Sequence, residues 1–467
     1  MGRHSDYTKI FEKDYQKVCE EKEALKAENI LLKDENRRLK LALQKYEIVQ
    51  DKDCTCSSIP SSATKLKKGI TNSRKPSDRK PGATDGHKGA FLSKKKVEEI
   101  KKNPNTKIVE KAINLTDKNK DKKPIIRHIL GYKITPIVYE VKIYPNEDGK
   151  YEIPSNLISQ VNYAPEIKTL AMDLYYECNV STDNITKFLS DLFQYTVSKG
   201  TITNWTKELE ENFQPETGHI LRQLLKEPYN HVDESQINVE GQTYNIHNAS
   251  SNKYTMQWVH KNKSHQAVEQ IGFLVEYNGI LVKDGTHLYD KFATDFVSCG
   301  AHINRYLIGA NKGIVHQGEE RLLMFFAGLK THRKKLMRKG LKSITETEYK
   351  NICIQYKSIL DDWYKEIKAD QLNNPLYDEE RRLQDRLLKD AKQHLRFMTD
   401  FSLPYTNNRA ETDIRGVKQR QKVGIFRNEE AAERYVTIKS CISTYKKNKI
   451  NVFEAINAAF SHNPIII

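Results

Sequence analysis

Apolar and polar residues alternate along three neighbouring segments in the middle of the chain, which predicts three β-strands joined by turns. The segments are Asn230–Val239, Thr243–Asn248 and Tyr254–Val259, and Glu240-Gly241 marks the first turn. Helical spacing then follows over Ala267–Tyr277, and the apolar run that ends at Asp284 predicts a fourth strand. A meander, a helix and a fourth strand parallel to the first open an RNase H-like mixed sheet, so we expect an α/β fold.

Near the N-terminus, apolar residues recur every seven positions, which predicts a coiled-coil dimerisation helix over residues 1–50. The repeat consists of Phe11, Val18, Leu25, Leu32, Leu39 and Tyr46. On this register Asn29 and Asn36 occupy positions where a buried polar side chain favours two strands, so a parallel dimer is our hypothesis. The alternative is a single solvated helix that rests on the rest of the protein.

Three further segments precede the strands. Residues 51–105 are rich in Pro, Gly and Lys and predict a basic flexible arm, which either contacts DNA phosphates or serves only as a soluble linker. Alternation over Thr135–Tyr144 predicts a small β-rich module within residues 106–155. Residues 156–228 return to helical spacing.

Two of the helices predicted in residues 156–228 are separated by a tight turn, as in a helix-turn-helix. Ser198 is the expected N-cap of the second helix. The residues that we expect to face a DNA groove are Lys199, Thr201, Asn204 and Lys207. The alternative is a helical prop that packs on Trp205 and the nearby leucines.

The net charge favours a polyanionic partner. The 467 residues contain 77 Lys and Arg against 61 Asp and Glu, a net charge of +16, and residues 61–102 alone contribute nine of those charges. Double-stranded DNA attracts such a chain through its phosphates. No apolar run approaches the ~18 residues that span a membrane. The N-terminus also lacks an apolar signal core, so we expect a cytoplasmic protein, which its net charge would associate with nucleoid DNA.

The seven cysteines are scattered along the chain, which suits a reducing compartment rather than a disulfide framework. Cys299-Gly-Ala-His302 has the spacing of a pair of metal ligands. A buried cysteine and a hydrogen-bonded histidine are nevertheless the favoured interpretation. The cysteines therefore predict no structural zinc site.

Three carboxylates in different local contexts form the candidate catalytic set. Asp233 lies in the first predicted strand, Asp284 ends the fourth, and Glu411 lies in a polar helix. Adjacent strands would bring the two aspartates side by side, where like charges need a cation between them. Two Mg²⁺ or Mn²⁺ ions held by all three acids can activate a water or a 3′ hydroxyl and stabilise the leaving oxygen. The alternative for Glu411 is an ordinary ion pair with Arg415.

Helical spacing places three basic residues on the face of Glu411, where they are candidate phosphate contacts: Arg415, Lys418 and Lys422. Nearby acids are weaker ligand candidates, because Glu234 alternates to the other face of its strand and Asp413 lies off the Glu411 face. We interpret Asp290 and Asp295 as caps or solvated residues.

Five sequence blocks resemble those of bacterial insertion-sequence-66-type DDE transposases. They are His231-Val-Asp-Glu-Ser235, Val282-Lys-Asp-Gly-Thr-His-Leu-Tyr289, Cys299-Gly-Ala-His-Ile-Asn-Arg305, Asn407-Asn-Arg-Ala-Glu-Thr-Asp-Ile-Arg415 and Gly424-Ile-Phe-Arg427. The resemblance implies an RNase H-like catalytic domain whose metal-binding triad is Asp233, Asp284 and Glu411. Within the blocks, the further candidate DNA contacts are Asn408, Arg409 and Arg427.

The resemblance also implies how the rest of the chain divides. Residues 229–309 and 401–428 form the core, residues 310–400 a helical insertion, and residues 429–467 C-terminal helices. Family members usually carry a cysteine-rich zinc module ahead of the helical segment, whereas residues 106–153 here contain no cysteine. DNA recognition would then fall to the basic arm and the helix-turn-helix, or be weaker or differently specified.

The function expected from these features is a transposase that acts as a homodimer or larger assembly. It would bind the terminal inverted repeats of its element, cut them with two divalent ions, and join a 3′ hydroxyl to target DNA. Two alternatives stay open. One is a catalytically silent DNA-binding regulator derived from a transposase, and the other is a stand-alone RNase H-like nuclease.

Overall fold

The computed structural model describes residues 22–43 with gaps, 94–102, 107–109, 137–154, 157, 162–193, 196–293, 295–310 and 314–467. The chain divides into two compact units. One is built mainly from residues 159–188 and 196–467, and the other takes in residues 71–158 and 189–195. All three candidate acids belong to the first unit.

The strands are β1 (Tyr229–Val239), β2 (Gln242–Ser250), β3 (Thr255–His260), β4 (Ile280–Lys283) and β5 (Phe296–Ser298). The helices are α1 (the helical residues described within 22–43), α2 (Lys94–Lys101), α3 (Pro165–Tyr176), α4 (Thr182–Phe193), α5 (Lys199–Asn212), α6 (Gln214–Lys226), α7 (His265–Ile271), α8 (Phe273–Glu276), α9 (Gly300–Ala310), α10 (Gln317–Arg338), α11 (Glu346–Ala369), α12 (Tyr377–Lys389), α13 (Ala391–Thr399), α14 (Asn408–Gln421), α15 (Glu429–Lys447) and α16 (Val452–Phe460).

A five-stranded mixed sheet, in the order β3-β2-β1-β4-β5, forms the centre of the first unit. The first three strands are antiparallel, and β4 is parallel to both β1 and β5. The predicted meander and the parallel fourth strand are therefore confirmed. At the predicted turn, Glu240 and Gly241 both have positive φ angles, 51° and 80°, as a tight two-residue hairpin requires.

Helix α15 covers the edge of β3. The hydroxyl of Ser440 accepts a hydrogen bond from the backbone N–H of Gln257 at 3.0 Å, and the hydroxyl of Thr444 accepts one from Thr255 at 3.0 Å. Unpaired N–H groups on an edge strand invite pairing with another chain. The two hydroxyls therefore close this side of the sheet.

The helices α10 to α13 form the predicted insertion between the second and third candidate acids. Together with α9 they enclose an apolar cluster whose largest members are the fully buried Phe326, Tyr356 and Trp363. The guanidinium of Arg333 donates to the carbonyl oxygens of Phe401 and Leu403, at 2.5 and 2.7 Å. These bonds connect the insertion to the segment that leads into α14.

Several expectations need correction or lie partly outside the described residues. The helix predicted over Ala267–Tyr277 divides at Gly272, whose φ of 81° ends α7 in a left-handed cap. Within the arm predicted as flexible, Lys94–Lys101 is helical. The described parts of the predicted β-rich module, residues 107–109 and 137–154, contain no strand. The short strand β5 was not predicted.

The described seam residues of the predicted coil are helical, and their side chains are exposed, with Leu25, Leu32 and Leu39 each at least half accessible. The outer heptad positions, Phe11, Val18 and Tyr46, lie outside the described residues. Among the helices that the structure describes, none is long and apolar enough to cross a membrane.

Candidate active site

The parallel register of β1 and β4 brings the two candidate aspartates to neighbouring positions. His231 pairs with Val282 at the end of the ladder. Asp233 lies two residues further along β1, and Asp284 lies two residues beyond Val282, one position past the end of β4. The side-chain alternation of a strand puts residues two apart on the same face. The two acids therefore follow the last paired residues of β1 and β4 by the same number of positions.

Asp233 lies in a strongly acidic environment. Burial and the nearby carboxylates of Asp284, Glu234 and Glu411 together raise the pKa of Asp233 to about 8, although a hydrogen bond from the N–H of Glu234 at 2.9 Å opposes the shift. The basic residue Lys418 of α14 interacts electrostatically with Asp233. A carboxyl group whose pKa is raised by its acidic neighbours marks a natural site for a cation.

The loop after β4 has a fixed shape around Asp284. The carboxylate of Asp284 accepts a hydrogen bond from the N–H of Thr286 at 2.9 Å. The buried Lys283 donates to the carbonyl oxygen of Thr286 at 2.8 Å, forms an ion pair with Asp290, and lies 4.6 Å from the ring centre of Phe296. Asp290 is thus a structural partner of Lys283 rather than a solvated residue.

A buried asparagine connects the third acid to the strand of the first. Asn407, just before α14, is 1% exposed. Its side-chain oxygen lies 2.9 Å from Nδ1 of His231, and its amide nitrogen donates to the carbonyl oxygen of Val232 at 2.8 Å. Burial lowers the pKa of His231 to about 4, so the neutral ring donates through Nδ1. Glu411 follows one turn later on α14.

The backbone N–H of Asn407 also donates to the thiol sulfur of Cys299, at 3.1 Å. Burial raises the pKa of this thiol, so it is a neutral acceptor at physiological pH. The sequence block around Cys299 and the block that contains Glu411 are thereby held together. The prediction of a buried cysteine is confirmed.

The carboxylate of Glu411 is engaged by α9. Arg305 Nη2 lies 3.3 Å and His302 Nδ1 3.7 Å from the same carboxylate oxygen of Glu411. The alternative pairing with Arg415 is not found among the ion pairs of the described residues. All three side chains are part-exposed, and such an ion pair contributes only about 0–1 kcal/mol. Reorientation of Glu411 toward the aspartates is therefore inexpensive.

Ligand atoms of Cys299, His302 and Glu411 lie within 4.8 Å of one another, whereas the set Asp233, Asp284 and Glu411 does not form so close a group among the described residues. Two ions about 4 Å apart need ligands on both sides of the pair. A wider set of carboxylates suits that arrangement. The all-oxygen donors of the acidic set also match the preference of Mg²⁺ and Mn²⁺.

A pocket opens beside Asp284, between the loop after β4 and the insertion. Arg386 of α12 lines it and stacks on the ring of Tyr306, 4.5 Å from its centre. The insertion therefore supplies a cation beside the candidate metal site. No local sequence signal predicted this role for Arg386, because α12 lies about a hundred residues from Asp284 in the chain.

The neighbouring acids have structural partners. Glu234 accepts from the hydroxyl of Tyr289 at 2.6 Å on the other face of β1, as its alternation predicted. Asp413 forms a 2.7 Å ion pair with Lys447. Asp295, interpreted from sequence as a cap or solvated residue, instead pairs with Arg396.

The candidate DNA contacts near Glu411 are accessible. Asn408, Arg415, Lys422 and Arg427 are exposed, and Arg409 and Lys418 are half-buried.

The predicted helix α5 has two distinct faces. Ser198 accepts from the N–H of Thr201 at 3.0 Å, which confirms the predicted N-cap. Ile202, Trp205 and Leu209 are buried. The opposite face exposes the predicted DNA contacts Lys199, Asn204 and Lys207.

A family model described as Transposase IS66 family matches residues 160–434. This stretch contains β1, β4 and α14, and with them the three candidate acids. No curated protein matches the chain.

Proposed function

The chain belongs to the IS66 transposase family, and we propose that it is an RNase H-like DDE enzyme that cuts DNA and joins its strands. Asp233, Asp284 and Glu411 would hold two divalent ions, Mg²⁺ or Mn²⁺. The observation that carries the proposal is the β1–β4 register, because its last pair is His231 and Val282 and each candidate aspartate follows that pair by two residues. The strand order supports the RNase H-like assignment.

The protein side chains would position the DNA and hold the carboxylates as metal ligands. Bound divalent ions would supply the Lewis acidity for attack on phosphorus and for departure of the leaving oxygen. Lys418 and Arg386 flank the acids and can contact phosphate oxygens on either side. Arg305, once released from Glu411, can do the same. The Asn407 bonds connect the start of α14 to β1, which would keep the third carboxylate within reach of the other two.

DNA binding and dimerisation belong to the same proposal. The exposed polar face of α5 and the accessible basic residues of α14 support contacts to double-stranded DNA at the element ends and at the target. The exposed leucines of α1 support a homodimer formed through a parallel coil. Transposition at two element ends also requires two active sites, which a dimer would provide.

The test is strand cleavage by the full-length protein on oligonucleotides that carry the terminal repeats, with Mg²⁺ or Mn²⁺. We expect Asp284→Asn to reduce cleavage by roughly 1000-fold, because several kcal/mol of charge stabilisation is lost. Asp361→Asn, on an exposed position of α11, is the matched control and should cleave normally. DNA affinity, measured by fluorescence anisotropy, should be similar for both variants.

Cleavage that persists in Asp284→Asn would overturn the assigned triad. Wild-type protein that binds the repeats tightly but never cuts them, with either metal, would favour the silent regulator instead. Cleavage of branched or hybrid substrates without any strand joining would favour the stand-alone nuclease.

A further inference from the structure

A second cluster of ionisable side chains lies inside the helical insertion. His316 immediately precedes α10, Glu319 is in the first turn of that helix, and Glu380 is in the first turn of α12. Ligand atoms of the three lie within 4.8 Å of one another. His316 Nδ1 is 3.2 Å from a carboxylate oxygen of Glu380 and 3.8 Å from one of Glu319.

All three side chains are withdrawn from solvent, at 3% exposure for His316 and 0% for both glutamates. Oε1 of Glu319 and Nδ1 of His316 are buried without a hydrogen-bond partner, although each points into the cluster. Buried polar atoms in native proteins are almost always satisfied. Two such atoms that face the same point indicate a ligand between them.

The other ring nitrogen of His316 has a partner of its own. Its Nε2 lies 3.3 Å from the carboxylate of Asp370, where it can donate a hydrogen bond. A ring that donates through Nε2 can offer a lone pair on Nδ1 to a metal ion. Nδ1 faces the carboxylate oxygens of Glu319 and Glu380, so all three side chains can direct a ligand atom to one ion.

Neighbouring acids act on the cluster. Burial, together with the carboxylates of Glu380 and Glu366, raises the pKa of Glu319 to about 8. Glu380 is held in place by Asn374, whose amide donates to Oε2 at 2.9 Å. Buried carboxyl groups that lie close together are costly unless a proton or a cation is held between them.

We propose that His316, Glu319 and Glu380 bind one divalent transition-metal ion of the Zn²⁺ class as a structural site. One imidazole and two carboxylates form a donor set that favours such an ion over Mg²⁺. Bonds of about 2.0–2.2 Å at tetrahedral angles separate ligand atoms by roughly 3.3–3.6 Å, close to the separations between His316 Nδ1 and the two glutamates. Asp370 would serve as the carboxylate that orients the ligating histidine, a common second partner in zinc sites.

The ion would fasten the start of α10 to the start of α12. Six residues beyond Glu380, the same helix carries Arg386 into the pocket beside Asp284. The metal would therefore fix the helix that presents this cation to the candidate active site. The site is separate from the acidic catalytic set and does not depend on its assignment.

The test uses full-length protein that carries Asp233→Asn and Asp284→Asn, so that the catalytic set cannot account for bound metal. The protein is stripped with chelator, dialysed against Zn²⁺, gel-filtered, and analysed for metal by mass spectrometry. We expect one zinc per chain. Adding Glu319→Gln should abolish retention, whereas Glu320→Gln, an exposed neighbour on the same helix turn, should leave it unchanged.

Thermal unfolding shows whether Glu319→Gln loses zinc only because the variant is less well folded. Without metal, Glu319→Gln should unfold no earlier than its parent, because the substitution removes a buried carboxylate. Zn²⁺ should raise the melting temperature of the parent and of Glu320→Gln but not of Glu319→Gln. The proposal is overturned if the parent retains no zinc or if Glu319→Gln retains as much zinc as the parent. It is also overturned if Glu319→Gln stabilises the protein while zinc has no effect on the parent, because the two glutamates would then share a proton instead of a metal ion.

Discussion

Replacing Asn407 by alanine should loosen the connection between α14 and β1. The change removes the acceptor for Nδ1–H of His231 and the donor to the carbonyl oxygen of Val232, both within the buried interior. Each buried group left without a partner costs about 1–3 kcal/mol. Allowing for partial relaxation, we expect a loss of about 2–4 kcal/mol in the local stability of this contact.

Hydrogen exchange of the backbone amides, followed by mass spectrometry, measures that loss where it occurs. A change of 2–4 kcal/mol corresponds to exchange that is roughly 30- to 1000-fold faster. The acceleration should be confined to peptides from β1 and α14. Cleavage should also fall, because Glu411 is no longer held at a fixed distance from Asp233.

Two control variants distinguish the loss of the Asn407 hydrogen bonds from a general loss of stability. Asn407→Asp keeps an acceptor for His231 and should recover part of the protection, since a carboxylate is also favourable before a helix N-terminus. Asn278→Ala, at an exposed position, should change exchange by less than a factor of about 2–3. If Asn407→Ala exchanges and cleaves like the wild type, the inferred role of these hydrogen bonds is wrong.

Two further predictions concern pH and assembly. Because the folded-state pKa of Asp233 is raised to about 8, above its unfolded value of about 3.9, the stabilisation from this group is complete below about pH 4 and is lost as the pH rises through 8. In chelator, Asp233→Asn should therefore raise the melting temperature more at about pH 9 than at about pH 5; an equal effect at both would contradict the shift. For the coil, Leu32→Asp with Leu39→Asp should convert a dimer to a monomer in light scattering, whereas Lys33→Asp, off the seam, should remain dimeric.

The central sheet was predictable because its signals are local. Alternation marked β1 to β3, and the apolar run before Asp284 marked β4. The parallel pairing followed from topological rules that leave few ways to connect a meander, a helix and a fourth strand. By contrast, β5 has three residues, too few for any periodicity, and it exists because β4 offers a free parallel edge.

The candidate site was predictable only in part. The acidic residues can be recognised from short sequence blocks, but the side chains that contact them come from distant parts of the chain. The three acids were recognisable from their sequence blocks. The bond between His231 and Asn407 joins residues 176 positions apart, and the contact from Arg305 to Glu411 depends on how α9 packs. Helical spacing predicts Arg415 as a partner of Glu411, but it gives no information on Arg305, which a different helix brings closer.

A long insertion precedes the third candidate acid, Glu411. The chain connection to Asp284 therefore does little to fix the position of Glu411. In this protein the separation is 127 residues between Asp284 and Glu411. The insertion compensates through its own packing: Arg333 holds the segment before α14, and Asn407 then docks that segment on β1. A rigid insertion is therefore a condition for a defined third carboxylate, and a metal that fastens α10 to α12 would contribute to that rigidity. Zinc removal should then slow DNA cleavage in the wild type even when Mg²⁺ is saturating, while leaving the protection of β1 amides unchanged.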